Sequence, residues 1–83
     1  MRALRWSKAA RRDLLEIWAW RGRDRPELGD QAVDQIAPAC ARLRRFPFLG
    51  PPFARAAPDA RKLSVGGYLA LYRVEEGSIV MSV

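Results

Sequence analysis

The chain has 83 residues, of which 49% are hydrophobic and 29% charged, and its net charge is +6. This length and composition predict one folded domain over residues 1–83 with a small core. Cys40 is the single cysteine and there is no histidine, so an intrachain disulfide is excluded and a tetrahedral metal site lacks ligands. We therefore expect no metal and no other cofactor, which leaves a bound partner as the remaining source of extra stability.

The first half of the chain predicts a short strand and two helices. Residues 2–6 are a candidate strand, and Ser7 can cap a helix over about 8–23 by accepting from a first-turn amide. A second helix is expected over about 26–46, because Pro26 needs no amide partner in the first turn. Both segments have apolar stripes at helical spacing. The stripes consist of Ala10, Leu14, Ile17 and Trp18, and of Ala32, Ile36, Ala39, Cys40, Leu43 and Phe46.

Prolines interrupt this pattern at two places. Pro38 lies inside the second stripe, where it removes an amide donor and is expected to kink or break the helix. Residues 46–60, FPFLGPPFARAAPDA, predict a loop, because prolines and a glycine punctuate them. We expect Phe46, Phe48 and Phe53 to anchor this loop to the core.

The last part of the chain predicts an antiparallel meander. The segments RKLSV and YLALYRV flank Gly66-Gly67, a pair that suits the positive φ angles of a type I′ turn. SIVMSV then follows the EEG turn as a third strand. The predicted fold is α+β, with an N-terminal antiparallel helical hairpin packed on a small antiparallel β-sheet over about 61–83.

A two-residue turn fixes which side chains share a face of this hairpin. The predicted opposite pairs are Val65 with Tyr68, Leu63 with Ala70, and Arg61 with Tyr72. The other face then carries Lys62, Ser64, Leu69, Leu71 and Arg73. Both faces are substantially apolar, and two helices can cover one of them. We expect the other face to be covered by a chain terminus, a second copy or a partner.

The positive charge is concentrated in the second half of the chain. Residues 35–74 carry seven basic side chains against Asp59 alone. This excess is typical of a protein with an acidic partner, either nucleic acid or an acidic protein segment, although an ordinary arginine-rich surface would look the same. Trp20 is the tryptophan that lies off the first helical stripe, and it is a candidate contact for that partner.

Several kinds of chemistry are excluded or disfavoured. Without histidine there is no imidazole base. Asp13 and Glu16 are three residues apart on the first helix, but neighbouring arginines favour a solvated charged face over an acid–base pair. Cys40 lies on an apolar stripe and is expected to be an unreactive core residue. The N-terminal residues contain no signal peptide and no segment is long enough to span a membrane, so we predict a cytoplasmic protein.

A basic cluster near the hairpin leaves two activities open. Arg61, Lys62 and Arg73 lie close to Tyr68 and Tyr72 in the sequence pattern. Such a set can cleave RNA without histidine by holding phosphate charge and moving protons, and it can equally bind an acidic segment. The third alternative is a solvated strand edge with tyrosines in the core.

The order of these elements resembles the ParE/RelE superfamily of bacterial type II toxins. The resemblance rests on WSKAARRDLLEIWAW, on LRRFPFLGPP at the end of the second helix, and on RKLSVGGYLALYRVEEGSIVMSV. It covers nearly the whole chain. It implies a helical hairpin on a small sheet, and an antitoxin partner that forms a hetero-oligomer with the toxin.

The two branches of the superfamily imply different targets. RDLLEIW and YLALYRV look like the ParE branch, whose members act on DNA gyrase by binding, without chemistry of their own. The RelE branch cuts messenger RNA on the ribosome with basic residues of the sheet. Lys62 matches one of those positions and Arg73 lies nearby, whereas Ala60 and Leu69 stand at others. A ParE-like gyrase inhibitor is therefore predicted, with a RelE-like endoribonuclease using Lys62 and Arg73 as the alternative.

A third reading follows from the end of the sequence. Members of the ParE branch continue past the last strand with a basic tail, whereas SIVMSV ends within the predicted strand. A shortened, non-toxic relic that still binds antitoxin is therefore a further alternative. The residues expected to bind a partner are Trp20, Arg61, Lys62, Leu69, Leu71 and Arg73.

Overall fold

A computed structural model describes residues 1–82 of the chain, which form two helices and four strands. The elements are β1 (Ala3–Trp6), α1 (Lys8–Arg21), α2 (Pro26–Ala41), β2 (Arg61–Val65), β3 (Tyr68–Glu75) and β4 (Ser78–Met81), with a 3₁₀ turn (Arg42–Arg44) after α2. The strand order is β1-β4-β3-β2. The predicted meander β2-β3-β4 is antiparallel, and β1 adds a parallel edge to β4. The fold is therefore α+β, with a helical hairpin on a mixed sheet.

Local signals at the helix ends act as predicted. The Ser7 hydroxyl accepts from the Ala10 amide at 3.0 Å, which caps α1. The same hydroxyl donates to the Ser82 carbonyl at 3.0 Å and ties the start of α1 to the end of β4. Gly22 follows the last residue of α1, and Pro26 opens α2. These contacts explain why the hairpin begins and turns where it does.

The second helix continues past Pro38, where a kink or a break was predicted. α2 continues through Pro38 to Ala41, so the proline does not break the helix. The predicted end near residue 46 is also too late, because the chain tightens into the 3₁₀ turn after Ala41. Packing of the buried residues Ile36, Cys40 and Leu43 against the sheet holds this segment helical on both sides of the proline.

The predicted hairpin register is confirmed, whereas the turn type is not. Val65 pairs with Tyr68, Leu63 with Ala70, and Arg61 with Tyr72. Gly66 has a φ of 58°, but Gly67 does not have a positive φ. A positive φ at the first central residue alone is the pattern of a type II′ turn rather than a type I′ turn.

The core lies between α2 and the inner face of the sheet. Its largest fully buried side chains are Tyr72, Leu43, Ile79, Met81 and Cys40. Burial raises the pKa of the Cys40 thiol to about 11, so the thiol remains protonated at neutral pH. The expectation of an inert core cysteine agrees with this environment.

The proline-rich loop is attached differently from the prediction. Phe46 and Phe48 are 54% and 63% exposed, so they do not anchor the loop in the core. Instead, the hydroxyl of Tyr72 binds the backbone of the loop. That hydroxyl donates to the Pro47 carbonyl at 2.8 Å and accepts from the Gly50 amide at 3.0 Å. Among residues 1–82, no helix is long and apolar enough to cross a membrane.

Candidate partner-binding site

A groove of about 900 Å³ opens between α1 and the inner face of the sheet. Its floor includes Trp6, Ala70 and Met81 from three strands, and Leu14 and Ile17 of α1 form a wall. Most of its remaining lining is also apolar. The other lining residues are Ala10, Asp13, Glu16, Ala19, Trp20, Arg21, Arg23, Ile36, Val65, Tyr68 and Leu69.

The groove exists because α1 packs mainly against α2 rather than against the sheet. Ala10 is the one residue of α1 that is buried. Leu14 and Ile17, which belong to the predicted apolar stripe, are only half-buried. A helix that leaves half of its apolar stripe in a groove presents surface that a partner can bury.

The rim of the groove combines exposed apolar and charged groups. Trp20 is 65% exposed and Leu69 is 49% exposed, although both are large apolar side chains. The Arg23 guanidinium lies 4.3 Å from the centre of the Trp20 ring, which orients the indole. Asp13 and Glu16 line the same groove, and neither forms an ion pair within residues 1–82. The rim therefore offers both signs of charge beside an apolar interior.

The structure divides the predicted partner-binding residues among three places. Trp20 borders the groove, and Leu69 lies at its edge. Strand alternation puts the Leu69 side chain on the opposite, outer face of the sheet, where Lys62, Leu71 and Arg73 also lie as predicted. Arg61 is placed apart from both sets, because its side chain reaches into the proline-rich loop.

The side chain of Arg61 contacts the proline-rich loop. Its Nε donates to the Gly50 carbonyl at 2.6 Å, and its guanidinium lies 5.0 Å from the centre of the Phe48 ring. Two of its interactions are thus made within the chain. The residue holds the loop that Tyr72 also holds.

The outer face carries the other basic residues of the predicted site. Arg73 donates from Nε to Glu75 Oε2 at 2.6 Å and so carries its own counterion. Lys62 places its ammonium group 4.8 Å from the centre of the Phe53 ring. Arg5 of β1 shares this face, because Arg5 and Arg73 both pair with Val80 in the sheet. Arg5 could not be predicted from the sequence, since its placement depends on the pairing of β1 with β4.

The groove itself was not predicted from the sequence. The spacing of Leu14 and Ile17 marks an apolar face, but it does not tell whether the sheet covers that face. Trp6 and Met81, which meet in the groove, are 75 residues apart in the chain and pair only through the parallel β1–β4 register. The groove therefore depends on a long-range strand pairing that no local sequence pattern indicates.

Two comparisons with known proteins agree with this architecture. Residues 4–83 match the family model described as ParE toxin of type II toxin-antitoxin system, parDE. A solved structure titled "Chromosomal ParDE TA system from P. aeruginosa" is similar over 99% of this chain and 91% of that chain, with a TM-score of 0.84 and 25% identity. A search of curated proteins finds no match.

Proposed function

The chain belongs to the ParE toxin family of type II toxin–antitoxin systems, and from this premise we propose that it inhibits DNA gyrase by binding and that a cognate antitoxin neutralises it. This proposal needs no cofactor and assigns no catalytic residue. The antitoxin is the partner that the groove suits, and gyrase is the target that family membership suggests.

The open apolar groove is the observation that carries the antitoxin part of the proposal. An amphipathic helix lays its apolar side chains into a groove of this kind, with anchors at a spacing of three or four residues. Leu14, Ile17 and Met81 would receive those anchors, and Trp20 would close over them, with Leu69 at the edge of the groove. The charged rim would then pair with the polar flank of the helix and set its direction.

The environment of the polar groups supports inhibition by binding rather than RNA cleavage. Arg73 is paired with Glu75, and Arg61 is used to hold the loop. Tyr72 is fully buried, and its hydroxyl bonds to loop backbone. A phosphate would have to compete with the Glu75 carboxylate for Arg73, and the Tyr72 hydroxyl would have to leave its present partners before it could move a proton.

A gyrase assay tests the proposal directly. Purified protein would be added to DNA supercoiling and DNA-cleavage reactions, with and without the product of the neighbouring gene. We expect inhibition of supercoiling or stalled cleavage complexes, and we expect the neighbour's product to suppress either effect. A complete lack of effect on gyrase at saturating protein would refute the proposed target.

One structural feature keeps an endoribonuclease as the second candidate. Lys62, Arg73 and Arg5 share the outer face of the sheet, which is the arrangement that phosphate binding would use. The Lys62→Gln/Arg73→Gln double variant separates the two functions. Under the gyrase proposal the double variant retains inhibition, whereas a ribosome-dependent nuclease would lose cleavage. Binding of antitoxin without action on gyrase or on messenger RNA would instead identify a non-toxic, antitoxin-binding relic.

A further inference from the structure

A second site lies at the far edge of the sheet, around the first residues of the chain. A polar hollow of about 600 Å³ is lined by Met1, Arg2, Arg44, Arg45 and Gly77. Arg2 belongs to the first residues of the chain, whereas Arg44 and Arg45 follow α2. Arg2 and Arg44 are 42 residues apart in sequence. No acidic side chain lines the hollow within the part of the chain that the structure describes.

Backbone contacts fix two of these arginines to each other. The Arg2 amide donates to the Arg44 carbonyl at 3.2 Å, and Arg44 Nε donates to the Arg2 carbonyl at 3.1 Å. This reciprocal clamp keeps both residues at the hollow. The terminal nitrogens of Arg44 are left without a hydrogen-bond acceptor within residues 1–82, so they remain available to a ligand.

Arg2, which lines the hollow, carries a polar group that is not satisfied within the described residues. Its Nε is shielded from solvent, and among residues 1–82 it meets no hydrogen-bond acceptor. A shielded guanidinium donor without an acceptor is unfavourable, and native structures usually provide a protein, water or ligand partner for such a group. An anion in the hollow would place negative charge beside this guanidinium group.

The charges around the hollow are also uncompensated. The ion pairs within residues 1–82 are Arg25–Glu27 and Arg73–Glu75, so none of the three arginines has a carboxylate partner. Residues 1–12 and 35–58 contain no acidic residue at all, and β1 packs against the 3₁₀ turn that carries Arg44. Among the residues next to the hollow's lining in sequence, Glu76 is acidic, since it precedes Gly77. Glu76 is exposed in the β3–β4 turn and does not line the hollow. Packing has thus joined two acid-free segments.

We propose that this hollow binds a phosphodiester of a nucleic-acid backbone. Guanidinium groups match phosphate oxygens with paired donors, and three of them converge here. Arg5 and Arg42 lie on the same two segments and are exposed, so positive charge extends beyond the hollow along the sheet edge. An extended polyanion uses that additional charge, whereas a single free phosphate ion does not. The proposal is independent of the gyrase and antitoxin assignments.

The test uses the full chain, a short labelled duplex DNA and fluorescence anisotropy over a series of salt concentrations. The Arg44→Gln/Arg45→Gln variant is compared with Arg11→Gln/Arg12→Gln, which removes the same charge from exposed positions on α1. We expect the first variant to lose at least tenfold in affinity at low salt. We also expect its salt dependence to fall by about one power of salt concentration per lost phosphate contact. The second variant should stay within about threefold of the original chain.

Two further measurements decide between this site and general charge attraction. Circular dichroism must give the same fold for each variant, and Arg45→Gln alone provides a variant whose lost side chain makes no hydrogen bond within residues 1–82. In ¹⁵N–¹H spectra, duplex DNA should shift the Nε–H signals of Arg2 and Arg44. Equal losses for the two double variants, or shifts confined to other arginines, would overturn the proposal. So would signals that respond to inorganic phosphate while duplex DNA does not bind.

Discussion

The hydroxyl of Tyr72 accepts a hydrogen bond from the Gly50 amide at 3.0 Å, although the two residues are 22 positions apart. The same hydroxyl donates to the Pro47 carbonyl at 2.8 Å. Tyr72 lies in a central strand and is fully buried, so one core side chain connects the sheet to the proline-rich loop. Arg61 adds a third contact through the Gly50 carbonyl at 2.6 Å. The loop therefore has a defined conformation without burying Phe46 or Phe48.

Replacing Tyr72 with phenylalanine should destabilise the protein and release this loop. The change leaves the ring in the core but removes the partner of the Gly50 amide and of the Pro47 carbonyl. We expect the free energy of unfolding to fall by about 1–3 kcal/mol, measured by urea denaturation. Proteolysis within residues 47–52 should also become faster. Tyr68→Phe is the matched control, because its hydroxyl makes no hydrogen bond within residues 1–82, and an equal effect there would contradict the role of the loop contacts.

The crossing of the two helices depends on Gly29. A Cβ atom at this position would lie well inside van der Waals distance of the Trp18 backbone carbonyl, so α1 and α2 would have to move apart. Gly29→Ala is therefore expected to lower the free energy of unfolding by about 1–3 kcal/mol despite the better helix propensity of alanine. Gln31→Ala, at an exposed position of the same helix, should be neutral or slightly stabilising. Thermal unfolding of both variants checks the difference.

The two glycines of the hairpin turn should respond differently to substitution. Gly66 has a φ of 58°, which an alanine adopts only with strain, and an added Cβ would also meet Gln35. Gly67 has no positive φ and has open space around it. We expect Gly66→Ala to lower the free energy of unfolding by about 1 kcal/mol or more and Gly67→Ala to leave it nearly unchanged. Equal losses at both positions would favour a type I′ turn instead.

Contacts between residues close in sequence could be predicted, whereas contacts between distant parts of the chain could not. The register of β2 and β3 was predictable because the Gly66-Gly67 turn and strand alternation fix it locally. The cap at Ser7 was predictable for the same reason. The parallel pairing of Ala3 with Ser78 was not, since it joins opposite ends of the chain. The break that Pro38 was expected to mark as one alternative does not occur, because tertiary packing of α2 outweighs the lost amide bond.

The candidate site was predicted only in part, for a related reason. Strand alternation correctly placed Lys62, Leu71 and Arg73 on one face of the sheet. The position of Trp20 off the apolar stripe of α1 was also recognisable. Composition alone did not reveal that α1 stands away from the sheet. Beside the gap, α1 packs closely on α2 at Gly29, and Trp6 of β1 forms part of the groove floor. The gap converts a predicted core stripe at Leu14 and Ile17 into the wall of a groove.

The buried thiol of Cys40 should be unreactive while the protein is folded. Burial raises its pKa from 9.0 to about 11, so the thiolate is scarce at neutral pH and solvent has no access to the sulfur. We expect a thiol reagent such as DTNB to react only after unfolding in denaturant. Stability should also fall as the pH rises from about 9 towards 11, because the unfolded chain then releases a proton that the folded chain retains. Cys40→Ala should remove that pH dependence, although a cavity will lower the overall stability.

The groove leads to the most direct test of partner binding. Trp20 and Leu69 are exposed at its rim, so truncating them removes little from the folded core. If an antitoxin helix occupies the groove, Trp20→Ala should weaken antitoxin binding about tenfold or more, since large apolar side chains at an interface dominate the affinity. Leu69→Ala, at the edge of the groove, should weaken it less. Leu15→Ala is the control, because Leu15 is 64% exposed on the same helix but does not line the groove. Isothermal titration calorimetry with the purified antitoxin measures all three variants. Loss of affinity in Leu15→Ala with none in the rim variants would place the antitoxin on another surface of α1.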